Sequence, residues 1–189
     1  MPFPNSGRSL FLACVAASVI FGALAALFVL NYMPKSNEQL MGEFYATETA
    51  VSVSPSDYVR HLEAGTVDGL LVDLRSEEAY AAGHLVTAVN IPASSMTSAQ
   101  VVEAFRALPK DKPVITYCYS SYCMLSRHVG KALADNGIYV MHLTAGGYEI
   151  MRDFGPYVVN GTSPGTFEPK AGEVEEGSLC SGEGGEFGC

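Results

Sequence analysis

From Leu10 to Tyr32 the chain runs 23 residues without a charge, LFLACVAASVIFGALAALFVLNY. Where no water can bond the backbone, such a run is confined to helix. At about 1.5 Å per residue it reaches roughly 34 Å, more than the ~30 Å of a bilayer core. A cleaved signal peptide has a shorter apolar region, about 7–15 residues. Ala23-Leu24-Ala25 resembles a cleavage site, but Ala26-Leu27-Phe28-Val29-Leu30 continue the apolar run. The run therefore reads as an uncleaved, single-pass membrane anchor. Cys14 lies too near its start for a lipoprotein site and reads as a small bilayer-facing residue. Arg8 and the terminal amine precede the run, while Lys35, soon followed by Glu38 and Glu43, comes after it. The positive-inside rule then puts the N-terminus in the cytoplasm and the rest outside, in a periplasm if the cell is Gram-negative.

Five segments follow: a stub at 1–9, the transmembrane helix at 10–32, a tether at 33–53, a folded domain at 54–158 and a tail at 159–189. Ser54-Pro55-Ser56-Asp57 opens a helix, with a serine cap, proline at the first position and acid in the first turn. Leu70 to Leu74 reads as a buried strand, Ser76 to Gly83 as a short helix, and Ala88 to Pro92 as a short strand. Residues 97–108 have helical spacing, Pro113 to Tyr117 a central strand, 124–136 a helix stopped by Gly137, and Ile138 to Leu143 the last strand. Tyr148, Ile150, Met151 and Phe154 suit a final short helix. Strands alternating with helices predict an α/β domain whose parallel sheet is covered on both faces. Residues 171–189 carry five Glu, six Gly and no Lys or Arg. They cannot bury much apolar surface, and disorder is expected there.

The formal charge of -9 argues against nucleic acid or an anionic membrane surface as a partner. Of the five cysteines, Cys118, Cys123, Cys180 and Cys189 lie beyond the anchor. Four cysteines in an exported domain allow three full disulfide pairings, and sequence does not choose among them. No spacing of Cys, or of His61, His84, His128 and His142, reads as a metal site, and no cofactor is implied. Asn160-Gly161-Thr162 matches a glycosylation acceptor, which matters only in a eukaryotic secretory setting.

The chemistry gathers at Cys118. A buried-type strand, Val114 to Tyr117, runs into this cysteine. The loop Tyr119-Ser120-Ser121-Tyr122-Cys123 and a helix from Met124-Leu125-Ser126 follow directly. That order aims a thiol at the first free N–H groups of a helix, which favour negative charge. A thiolate is the nucleophilic form, so the expectation is a Cys118 that ionises easily. The loop N–H groups can form an anion nest, with Ser120, Ser121 and Ser126 adding hydroxyls.

Asp73-Leu74-Arg75, Tyr80, Gly83-His84, Ala88, Asn90, Ile91 and Pro92 resemble the first signature of rhodanese-like domains. Cys118 at a strand end and Gly146-Gly147 after the last strand resemble its second half. The resemblance covers about residues 50–155. It implies five parallel strands with helices on both sides. It also implies sulfur transfer: sulfane sulfur passes from a donor such as thiosulfate or a persulfide to Cys118, then to a thiol acceptor. The loop departs from common members, with Ser121 at the usual glycine, Cys123 at the usual arginine, and two extra residues before the helix pattern resumes. Loss of that arginine weakens anionic donor binding unless Arg127 or Arg75 bends in. Related phosphatases need an arginine where Met124 stands.

Cys123 is either a small buried residue at a helix start or a second thiol. As a second thiol it resolves a Cys118 persulfide or pairs with Cys118. Asp73 and Arg75 read as a structural pair, His84 as a backbone-bonded turn residue, and His128 as a solvated helix residue or a thiol-activating one. Gly146 and Gly147 are expected to let backbone approach beside the active loop. Three functions stay open: a membrane-anchored sulfurtransferase using Cys118, a thiol–disulfide redox protein using Cys118 and Cys123, and a non-catalytic binding or sulfur-delivery module.

Overall fold

The computed structural model describes residues 5–32 and 34–169. The chain divides into two compact units, one up to Thr47 and one from Glu48. In the first, helix α1 spans Asn5–Tyr32. Its Gly7–Tyr32 portion is long and apolar enough to cross a membrane, and its side chains are exposed. Residues 37–51 of the expected tether form a second helix, α2, Asn37–Val51.

The second unit is an α/β domain. Its main sheet holds β1 (Ser52–Val53), β2 (Leu70–Asp73), β4 (Val89–Asn90), β5 (Val114–Tyr117) and β6 (Val140–Leu143). These five strands are parallel in the order β1-β6-β5-β2-β4, as the resemblance implied. Four of them fall where sequence placed strands. The fifth, β1, is only two residues long and carries no alternation to read. Two core clusters lie on opposite faces, because neighbours along a strand point opposite ways. Leu71, Ile115 and Tyr117 face one cluster, and Val72, Val114 and Cys118 the other. Each large apolar side chain so buried contributes roughly 1.5–3 kcal/mol.

The covering helices are α3 (Pro55–Glu63), α4 (Glu77–Ala82), α5 (Ser98–Arg106), α6 (Leu125–Ala134) and α7 (Gly147–Asp153). Their starts follow the sequence. Ser54 accepts from Asp57 N–H, Ser76 from Ala79 N–H, and Thr97 forms a capping box with Gln100. The buried Val129 and Leu133 of α6 pack in the same cluster as Cys118.

A smaller antiparallel pair joins β3 (His84–Leu85) to β7 (Val158–Val159). Residues 159–169, expected within the tail, fold back on the domain instead. Thr87 N–H donates to Pro164 O, and Gly161 N–H to Ala81 O. His84 is buried, its ring nitrogens 2.8 Å from Tyr80 O and 3.0 Å from Ser163 O. Cys180, Cys189 and the expected disorder of 171–189 lie outside the described residues.

Candidate active site

Cys118 sits at the carboxyl end of β5, in the middle of the sheet, and is 2% exposed. The Ser126 hydroxyl of α6 stands 3.7 Å from its sulfur. The loop then doubles back: Cys123 N–H donates to Ser120 O at 3.0 Å, which puts Cys123 O 3.5 Å from Cys118 Sγ. Both cysteines are free thiols, without a disulfide. Tyr122 and Met124 project into solvent, whereas Leu125 packs with Cys123 on the inner cluster. Tyr119 leaves the loop sideways and its hydroxyl accepts from Ser76 N–H, tying the loop to the start of α4.

The titration of the pair corrects one expectation. Burial pushes the Cys118 thiol up, and its hydrogen bond to Cys123 pushes it further. The N–H and hydroxyl of Ser126 pull the other way, as anticipated for a helix start, but do not prevail. Desolvation of the charged form outweighs the N-terminal field of α6. Cys123 goes in the opposite direction. Its partial burial is outweighed by the Cys118 thiol and by N–H groups of Leu125, Tyr119 and Ser120. Hydrogen bonding thus favours the thiolate at Cys123, the more exposed of the two cysteines.

A carboxylate of α7 faces the loop, and sequence reading missed it. Glu149 accepts from Ser121 N–H at 3.3 Å, from Ser121 Oγ at 3.1 Å and from Gly146 N–H at 3.0 Å. Partial burial raises this carboxyl, but these donors hold it below the ordinary glutamate range. Glutamate three residues after the residue that opens α7 is half of a capping box, a signal present in the sequence. Its reach across to Ser121 is not.

Glycine permits the contact between α7 and the loop. A Cβ on Gly146 would lie 2.2 Å from Ser120 N, and one on Gly147 would lie 2.2 Å from Arg75 Nη1. Gly147 N–H donates to Cys118 O and Tyr148 N–H to Tyr119 O, so backbone meets backbone there.

Neither arginine bends toward the sulfur. Arg75 is 1% exposed, and its guanidinium is committed to both oxygens of Asp73 and to Gly83 O. It also lies 5.6 Å from the centre of the Tyr117 ring. Arg127 pairs with Glu48 at 3.6 Å. His128 is exposed and lines a shallow groove with Ala93, Met96 and Ser98. Among the described residues no cluster of three or more His, Cys, Asp or Glu is placed to hold a metal.

A family profile for the rhodanese-like domain matches residues 54–151, more than half of the chain. The chain belongs to that family. Among curated proteins, an HTH-type transcriptional regulator of Mycobacterium tuberculosis is 32% identical over 95 residues. The match spans 50% of this chain and 39% of the regulator. Thiosulfate sulfurtransferase GlpE of Coxiella burnetii is 26% identical over 102 residues, 52% of this chain and 89% of that enzyme. The rhodanese-like domain also resembles the BH2092 protein of Bacillus halodurans in structure. That likeness has a TM-score of 0.52 at 25% identity, over 67% of this chain and 88% of the other. The family's relatives thus include proteins named for sulfur transfer, and the rhodanese-like fold that the sequence implied is present.

Proposed function

We propose that this chain is a membrane-anchored sulfurtransferase that carries sulfane sulfur on Cys118. The observation that carries the reading is the Cys118 thiol at the end of the central strand, facing the N–H and hydroxyl of Ser126. Cys118 gives up its proton to solvent as the donor enters. The Cys118 thiolate attacks the outer sulfur of a donor such as thiosulfate. The donor S–S bond breaks, sulfite leaves with the bonding pair, and Cys118 becomes a persulfide. A thiolate acceptor then attacks the outer sulfur and Cys118 leaves as thiolate. Asp73, Arg75, Gly146 and Gly147 hold the loop in place, Tyr119 pins it to α4, and Tyr122 and Met124 form its exposed rim. Gly7–Tyr32 serves as the anchor, with the domain on the extracytoplasmic side.

The test is intact mass of the full chain in detergent after incubation with thiosulfate, beside Cys118→Ser. One added sulfur that a reductant removes and Cys118→Ser abolishes is the expected result. A second reading, a thiol–disulfide redox protein, draws on the nearness of the two cysteines, with Cys123 O 3.5 Å from Cys118 Sγ. It predicts no sulfur uptake, and loss of two hydrogens mapping to Cys118 and Cys123.

A further inference from the structure

Three features near the sulfur go unused in simple transfer to an outside acceptor. Cys123 is brought back on Cys118 by the turn closed from Cys123 N–H to Ser120 O. The carbonyl of Cys123 lies 3.5 Å from Cys118 Sγ, so the second cysteine stands beside the first. Cys123 is also the partly exposed member, and Cys118 the buried one.

We propose that Cys123 resolves the persulfide that Cys118 carries, forming a Cys118–Cys123 disulfide and releasing the outer sulfur as hydrogen sulfide. This rests on the reading that Cys118 takes up sulfane sulfur. Once the persulfide forms, the Cys123 thiol gives its proton to the outer sulfur, giving Cys118–S–SH and a Cys123 thiolate. That thiolate attacks the inner sulfur, the Cys118 Sγ. The Cys118–Cys123 bond forms, the inner–outer S–S bond breaks, and the outer sulfur leaves as HS⁻ with the bonding pair. The outer sulfur is thereby reduced to sulfide, and the two cysteines together are oxidised to the disulfide. A dithiol reductant restores both thiols for another turnover.

Attack on the inner rather than the outer sulfur follows from the leaving groups. Attack on the outer sulfur would expel Cys118, whose thiolate is disfavoured by burial. Attack on the inner one expels sulfide into water, and the less basic sulfur leaves faster. The N–H groups of Leu125, Tyr119 and Ser120 favour the Cys123 thiolate.

The experiment loads the full chain, reduced and then freed of reductant, with thiosulfate in detergent. Released sulfide is assayed, and the protein is followed by intact mass and peptide mapping. Wild type is expected to release one sulfide per chain and to end two hydrogens lighter, with Cys118 joined to Cys123. Cys123→Ser is expected to keep the added sulfur at least about tenfold longer and to release no sulfide beyond background. Cys123→Ala guards against a misfolded serine variant and should behave the same way. A wild type that holds its persulfide as long as Cys123→Ser overturns the proposal and leaves the carrier reading intact. So does added sulfur mapping to Cys123, or a disulfide from Cys118 to Cys180 or Cys189. No sulfur uptake by any of the three proteins overturns the carrier reading, and this proposal with it.

Discussion

Replacing Gly146 with alanine tests whether the start of α7 and the active loop touch as described. The new Cβ would fall 2.2 Å from Ser120 N, 2.3 Å from Ser120 Cα and 2.6 Å from Tyr119 C. All three are backbone atoms, so no side chain can rotate away. Relief requires the loop and α7 to part by about 1 Å, which strains the bonds from Gly147 N–H to Cys118 O and from Tyr148 N–H to Tyr119 O. Overpacking costs about 1–3 kcal/mol, and each weakened hydrogen bond up to about 1 kcal/mol more. For a domain of this size that is a drop in Tm of about 5–15 °C. A 1 Å displacement at the reacting atom is worth about 100-fold in rate, so sulfur uptake at Cys118 should fall by that order. The control is Gly130→Ala within α6, whose Cβ would meet nothing closer than Val140 Cγ2 at 3.9 Å. Alanine there should stabilise by about 0.5–1 kcal/mol. Both proteins are compared by thermal unfolding and by mass after thiosulfate. If Gly146→Ala melts with wild type and takes up sulfur at the same rate, the loop does not lie against Gly146.

Arg75→Met leaves the buried Asp73 carboxylate unpaired and should cost about 3–5 kcal/mol in urea unfolding. The double change Asp73→Asn with Arg75→Met should recover part of this, and a fully additive loss would contradict the pairing. Iodoacetamide near pH 8 should label Cys123 before Cys118, because the former thiol is held down and the latter pushed up. Cys118 labelling should keep climbing beyond pH 9, and the reverse order in mapped peptides would be incompatible with the assigned environments. Glu149 has a lowered folded pKa, so its stabilisation is present above the unfolded value of about 4.3 and fades as pH falls through the folded one. Glu149→Gln should therefore make the acid-side fall in Tm shallower, and an unchanged slope would count against the bonds to Ser121 and Gly146. The full chain should stay in the membrane pellet through alkaline carbonate extraction, and deletion of residues 5–32 should release it.

Sequence carried the fold where the signal was local. Val114 to Tyr117 reads as a strand because all four residues are buried, and Ser54, Ser76 and Thr97 mark helix starts because caps act within three residues. What escaped were long-range pairings. β1 reveals itself only beside β6, and β7 only beside β3, across separations of about 90 and 75 residues. The position of Cys118 followed from the strand–loop–helix order. Its ionisation did not, because that depends on how tightly Val72, Leu74, Val129 and Leu133 close over the inner face. A helix start favours the thiolate and burial disfavours it; sequence displays the first and conceals the second. Glu149 was hidden for the same reason, since its partner Ser121 is 28 residues away.

The sheet ends on either side in strands of two residues, β1 and β4. Pro55 follows the first after one residue, and Pro92 follows the second after one residue. Proline lacks the N–H that a neighbouring strand would need, so neither rim offers a ladder long enough to template another chain. On the proposed anchoring, which would confine copies to a membrane plane where encounters are frequent, this matters more than for a dilute protein. Such domains can be crowded together without zipping into extended sheets.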